Sequence, residues 1–82
     1  MTKLPPDPDK LNRARADWAV AALHSFMHET GSDADTAVGD LLGDLMHACD
    51  RWPKKFGSFE EALHNARCHY LAETGQPGPY SD

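Results

Sequence analysis

The segment from residue 34 to residue 52, ADTAVGDLLGDLMHACDRW, contains the most regular hydrophobic pattern in the chain. Its apolar positions are separated by alternating steps of four and three residues, the spacing of one face of an α-helix. These positions are Ala34, Val38, Leu41, Leu45, Ala48 and Trp52. Ala37, Leu42 and Cys49 widen this stripe to the width of a helix that packs on a core. The pattern therefore predicts a central helix about 28 Å long at 1.5 Å per residue.

The sequence also indicates where this predicted helix begins and ends. At its start, the side chain of Ser32 or Asp33 can accept a hydrogen bond from a free backbone N–H. Pro53 ends the helix, because the residue before a proline is kept out of the α-helical conformation.

A first helix is predicted over residues 8–30, with Asp7 as its N-cap, Pro8 at its first position and Gly31 as its stop. The centre of its broad apolar side consists of Leu11, Ala14, Trp18, Ala22 and Phe26.

A third helix is predicted over residues 59–74, after a loop at residues 53–57. Ser58 and Glu61 have the spacing of a capping box at its start, and Gly75 suits its end. Its apolar stripe is formed by Phe59, Ala62, Leu63, Ala66 and Tyr70.

These signals predict an all-α fold, a small three-helix bundle with short connections and a disordered Pro/Gly C-terminal tail. We expect residues 1–6 to form an extended N-terminal arm, residues 7–74 the domain, and residues 75–82 a flexible tail. No strand is expected, because no segment alternates with a period of two.

The 82 residues allow one domain with a modest core. Such a core supplies about 3–5 kcal/mol, and dimerisation is a common remedy, so a homodimer is one expectation. No membrane span is expected, because no apolar run approaches about 18 residues. The two cysteines and the absence of a secretory signal predict a cytoplasmic protein with free thiols.

The net charge of −5 arises from one segment. Residues 33–50 contain no lysine or arginine but five acids: Asp33, Asp35, Asp40, Asp44 and Asp50. The rest of the chain has eight acidic and eight basic residues. This balance argues against direct binding to a nucleic-acid backbone and favours a basic protein partner.

Asp40, Asp44, His47 and Arg51 fall along one stripe of the central helix, at steps of four, three and four residues. A solvated face is the simplest interpretation, and a partner-binding face is the next. The third is catalysis, because a carboxylate beside a histidine can exchange protons and two aspartates can hold magnesium through water. The stripe is similar to sites of all-α nucleotide pyrophosphohydrolases, but their paired glutamates are missing here.

Gly39 and Gly43 lie inside the central helix on the side away from its apolar stripe. Each costs about 1 kcal/mol relative to alanine in an exposed helix. With Leu42 and Met46 beside them, they form a notch that a second helix could approach closely. The first helix could pack in this notch, with the third on the main stripe, or the notch could be a subunit interface. The remaining alternative is that the two glycines have no role in packing.

Histidine and cysteine pairs at positions i and i+4, His24 with His28 and His64 with Cys68, have a spacing that can bind a metal. The helical wheel places all four side chains away from the core stripes, so we predict no metal site and no cofactor. We expect Cys49 to be a buried apolar residue.

The segments DLLGDLMHACDRW and FEEALHNARCHYLAE resemble a family of small uncharacterised proteins of bacterial chromosomes, phages and other mobile elements. Its members share a DLLxDLMHxCD segment followed by FxxALxxAxxHYxAE. The match spans residues 37–73, whereas Gly43 and the linker WPKKFGS are particular to this chain. The resemblance implies a helical fold and a mobile-element origin, and it transfers no catalytic residue.

The leading hypothesis is a non-enzymatic protein-interaction module, an accessory or host-defence-modulating protein of a mobile element. Its binding residues would be the five aspartates of residues 33–50 together with His47 and Arg51. One alternative is a small metal-dependent nucleotide hydrolase that uses Asp40, Asp44 and His47. The other is a structural homodimer formed through the glycine notch.

Overall fold

The computed structural model describes residues 3–77, and these residues form an all-α fold. Its three long helices are α1 (Asn12–Thr30), α2 (Ala34–Arg51) and α4 (Phe59–Glu73), and a single helical turn, α3 (Pro53–Phe56), joins the last two. No strand occurs within this range. The predicted small helical bundle is therefore confirmed. Residues 1–2 of the predicted arm and residues 78–82 of the predicted tail lie outside the described residues.

The first helix begins at Asn12, so the prediction of a start at Pro8 was wrong. Lys10 has φ 63°, a left-handed conformation that cannot continue a helix. Its backbone N–H donates to the Asp7 carbonyl oxygen at 3.2 Å, which closes a turn. The carboxylate of Asp7 accepts from the backbone N–H of Asn12 at 3.2 Å, and that of Asp9 accepts from Leu11 at 3.1 Å. The two carboxylates therefore accept hydrogen bonds from backbone N–H groups at the start of α1, which have no partner within the helix.

The turn between α1 and α2 ends one helix as predicted and starts the next differently. Gly31, with φ 76°, donates its N–H to the Met27 carbonyl oxygen at 2.8 Å. Asp33 is the N-cap of α2, but its side chain makes no capping hydrogen bond. The hydroxyl of Ser32 instead donates to the Asp40 carboxylate at 3.0 Å. The sequence predicted that one of these two residues caps α2 through its side chain. Neither does, so this prediction was wrong.

The segment after α2 contains a helical turn where a loop was predicted. Pro53 is well placed as the first residue of such a turn, because its φ is already helical. The turn ends at Gly57, which has φ 75° and donates its N–H to the Pro53 carbonyl oxygen at 2.8 Å. Ser58 then starts α4 by accepting a hydrogen bond from the Glu61 N–H at 3.0 Å, as the capping box predicts.

The long helices contact one another along the edges of their apolar stripes. On α2, Ala37 is buried, and Leu41 and Ala48 on the same side are half-buried. The opposing helices contribute half-buried side chains as well: Leu23, Phe26 and Met27 from α1, and Phe59, Leu63 and Leu71 from α4. Within residues 3–77, Ala37 is the only apolar residue that is fully buried. Because only the edges meet, much of each stripe remains uncovered.

Several residues predicted for the core are therefore exposed, and those predictions were wrong. The exposed fractions are 68% for Trp18, 58% for Val38 and 55% for Tyr70. Leu11, Leu45 and Trp52 are also exposed. The physical reason is that each helix is rotated so that the edge of its stripe, rather than the centre, faces its neighbours.

The accessible surface and the radius of gyration of the chain are also larger than those of a compact domain. Its accessible surface is 6913 Å². A compact monomer of 9.1 kDa exposes about 4,900 Å². The radius of gyration is 14.7 Å, against about 12 Å for a compact domain of this length. A single copy is thus a flat molecule, 37 × 32 × 19 Å, that does not enclose a large core.

Removing the cap of α4 tests how much this open fold depends on local helix signals. We expect Ser58→Ala to lower the free energy of unfolding by about 1 kcal/mol, because the Glu61 N–H loses its acceptor. Urea unfolding followed by circular dichroism measures this difference. Ser25→Ala, an exposed serine inside α1, is the matched control and should change the stability little. Equal effects of the two substitutions would contradict the capping role.

Candidate functional site

The acidic strip of α2, defined here as Asp40, Asp44, His47 and Arg51, is exposed along its whole length. At 100° per residue, the four positions fall within about 40–60° of one another round the helix. The Asp40 carboxylate is held by the Ser32 hydroxyl, which is itself 3.0 Å from the Thr30 hydroxyl. This chain of hydrogen bonds fixes one end of the strip to the turn after α1. The structure therefore brings these four predicted residues together on one accessible side.

The other predicted partner-binding residues do not join this strip. Asp33 lies before the first turn of α2, and Asp35 and Asp50 are about 90–150° away round the helix. All three are exposed. The acidic residues of α2 thus form a strip and separate flanking charges rather than one continuous face.

The glycine notch faces open space. Apart from its chain neighbours and the backbone of its own helix, a Cβ atom at Gly39 or Gly43 would meet no atom of the described chain within 4 Å. Leu42 and Met46, which border the notch, are exposed. The prediction that the first helix packs in the notch was therefore wrong, because α2 meets its neighbours through the side of Ala37 instead.

An uncovered apolar row runs along α2, and sequence reasoning had assigned most of it to the core. We call it the α2 seam: Val38, Leu42, Leu45, Cys49 and Trp52. Four of its members are exposed, and Cys49 is half-buried. Their steps of four, three, four and three residues are those of a helix that packs against another helix. The spacing was visible in the sequence, but it does not show whether the covering helix belongs to the same chain.

A second feature that sequence reasoning missed is a clasp between the N-terminal arm, α1 and α4. The Arg15 guanidinium contacts both carboxylate oxygens of Asp9, at 2.9 and 2.7 Å, and the Glu73 carboxylate at 3.0 Å. Asn12 adds a hydrogen bond from its side-chain amide to the Glu73 carbonyl oxygen at 2.8 Å. These contacts join the start of α1 to the end of α4. No local pattern signals the contacts with Glu73, because Asn12 and Glu73 are 61 residues apart in the chain.

The clasp changes the acidity of Asp9. Hydrogen bonding to Arg15, followed by the bond from the Leu11 N–H, lowers the pKa of Asp9 from 3.8 to about 2. Beside the clasp lies a largely apolar cavity of about 450 Å³. Its lining includes Leu4, Pro5, Ala16, Tyr70 and Thr74.

The histidine and cysteine pairs fall in different environments. His24 and His28 are exposed, as the helical wheel indicates. His64 and Cys68 are half-buried, with 3.7 Å between Nε2 and Sγ, so the prediction that they lie on the outer side was wrong. The reason is the rotation of α4, which turns this side toward its neighbours. No group of three or more His, Cys, Asp or Glu residues within residues 3–77 has the geometry of a metal site.

No helix in the described part of the chain is long and apolar enough to cross a membrane. In comparisons with known proteins, no family model, no curated protein and no solved structure matches this chain.

The clasp predicts a pH dependence for Asp9. Because the folded-state pKa is lowered, the contribution of the clasp is present above about pH 4 and is lost as the pH falls toward 2. An NMR titration of the Asp9 carboxyl carbon should give a midpoint of about 2. In Arg15→Gln the midpoint should return toward 3.8, whereas the matched control Arg13→Gln should leave it unchanged. A midpoint near 3.8 in the unsubstituted protein would show that the clasp does not form.

Because the notch is open, we expect that Gly39 and Gly43 are not needed for the stability of the fold. Gly39→Ala and Gly43→Ala should each raise the free energy of unfolding by about 1 kcal/mol, because alanine favours the helix and its methyl group meets no neighbour. Gly31→Ala is the contrasting control and should be destabilising, because Gly31 has φ +76°. Urea unfolding at one protein concentration compares the variants. A loss of stability at Gly39 or Gly43 would mean that another helix occupies the notch.

Proposed function

We propose that this protein is a non-enzymatic protein-interaction module that binds a basic protein partner through the acidic strip of α2. The observation that carries the proposal is the exposure of Asp40, Asp44 and His47 on one side of a long helix. Oppositely charged surfaces are steered toward each other before they make contact, and such charges determine which partners are accepted.

The apolar side chains of α2 lie away from the strip. Leu42 and Met46 are exposed, but they are about 130–170° round the helix from it. The strip is therefore recognised by its charge, and the expected partner surface is basic.

The biological setting of the proposal comes from sequence resemblance alone. The segments at residues 40–50 and 59–73 resemble those of small proteins of mobile elements. We therefore propose an accessory or host-defence-modulating role in such an element, carried out in the cytoplasm. Direct binding to nucleic acid is not proposed, because the charge of the chain is −5.

The alternative of a metal-dependent nucleotide hydrolase gains less support from the geometry. Its residues Asp40, Asp44 and His47 are exposed to water. Catalytic charges act most strongly in sites from which water is excluded. The exposed strip is better suited to contact with a protein surface.

Charge reversal tests the acidic strip directly. The probe is a fluorescein-labelled amphipathic helical peptide of leucine and lysine, and its binding is measured by fluorescence anisotropy. We expect Asp40→Lys combined with Asp44→Lys to weaken binding at least about tenfold at low salt, because attraction is replaced by repulsion. The loss should shrink at higher salt, where exposed charges are screened.

The matched control carries the same change in charge on α1. Asp17→Lys combined with Glu29→Lys alters two exposed acids of that helix. This variant should bind the peptide nearly as well as the unsubstituted protein, and circular dichroism should show that both variants remain helical. Equal weakening by the two variants, or none in either, would rule out the acidic strip as the binding surface.

A further inference from the structure

The α2 seam lacks a partner within its own chain. Val38 is 58% exposed and Trp52 is 56% exposed, and Leu42 and Leu45 between them are each 42% exposed. Side chains with this spacing pack as knobs into holes formed by a facing helix. Since α2 uses the side of Ala37 for its neighbours, no helix of the described chain covers the seam.

The surface area of the chain is large enough for a stable interface. The accessible surface of 6913 Å² exceeds that of a compact monomer of this mass by about 2,000 Å². A standard protein–protein interface buries about 800 Å² on each partner. An interface of that size would therefore use less than half of the excess. The area fits a homodimer of ordinary size.

The charges at the two ends of α2 indicate what covers the seam. Asp33 and Asp35 lie at the start of the helix, whereas Lys54 and Lys55 follow its end. A second α2 in antiparallel orientation would place the acidic start of each helix beside the basic end of the other. The two helix dipoles would also be antiparallel, which is the favourable arrangement. A parallel pair would instead place like charges together at both ends.

We propose that a second copy of this chain docks on the α2 seam, with the two α2 helices antiparallel about a two-fold axis near Leu42 and Leu45. The interface uses the same residues on both copies, as a two-fold dimer requires. Trp52 of each copy lies toward the first turn of the other α2. Leu42 borders both the seam and the glycine notch, but Gly39, Gly43 and Met46 are not part of this contact.

This inference goes beyond the proposed function and rests on different residues. The seam and the acidic strip are about 150° apart round α2. Dimerisation through the seam therefore leaves both acidic strips accessible. The dimer presents two of them to a partner, which raises the apparent affinity for a basic partner that is itself repeated.

The main test compares two valines of similar exposure. Val38 lies in the seam, whereas Val20 is 45% exposed on α1. Light scattering should give a mass of about twice 9.1 kDa for the unsubstituted protein at micromolar concentrations. Val38→Asp should reduce the mass to that of one chain, because a carboxylate would be buried at the interface. Val20→Asp should leave the dimer intact.

The contrary outcomes of this test are distinct. A mass of one chain for the unsubstituted protein over the whole concentration range would overturn the proposal. A dimer that survives Val38→Asp, or one that Val20→Asp dissociates equally well, would place the interface elsewhere. If Gly39→Ala with Gly43→Ala dissociates the dimer, the close contact is at the glycine notch and the seam is not the interface. Circular dichroism verifies in each case that the chain remains folded.

A charge exchange tests the antiparallel orientation. Asp33→Lys with Asp35→Lys should weaken dimerisation about tenfold at low salt, because these positions would then face the basic end of the other copy. Adding Lys54→Glu and Lys55→Glu to the same chain should restore the affinity. Failure of this restoration, with the helical content unchanged, would contradict the antiparallel arrangement. Neither result depends on Asp40 or Asp44, so this test and that of the acidic strip fail independently.

Discussion

The contact side of α2 is the constraint on which the rest of this structure depends. Ala37, only 1% exposed, lets α2 approach its neighbours closely along one edge of its apolar stripe. Leu41 and Ala48 extend that contact along the same edge. Because the contact runs along the edge, the centre of the stripe is left without a neighbour. Contact through this edge explains the flat shape of the chain, its large accessible surface and its uncovered seam.

The features of the fold that could be predicted are those encoded within a few residues. Gly31 ends α1 and Ser58 caps α4, because both signals act through the adjacent backbone. The start of α1 could not be predicted in the same way. It depends on the left-handed Lys10 and on carboxylates that reach across the turn to the backbone. Hydrophobic periodicity locates a helix more reliably than it locates the helix's first residue.

Which part of each apolar stripe contacts a neighbouring helix could not be predicted from the sequence, for a different reason. A period of 3.6 residues identifies the apolar side of a helix, but it does not say what covers that side. Trp18, Val38 and Tyr70 have core spacing and are nevertheless exposed. The acidic strip was easier to predict, since charged residues need only water to be satisfied. The glycine notch could also be recognised in the sequence, because it depends only on the spacing of Gly39 and Gly43 in one helix. Whether another helix fills the notch depends on how the helices pack, which the sequence does not show.

The three sides of α2 explain how one short helix could serve both the fold and binding. One side holds the chain together through Ala37, a second carries the acidic strip, and the third is the seam. A single copy gains little from hydrophobic burial, because many of its large apolar side chains remain exposed. Covering the seam with a second copy would add that missing burial without using the strip. Stability would then depend on protein concentration, and the assembled form would be the one that displays two acidic surfaces.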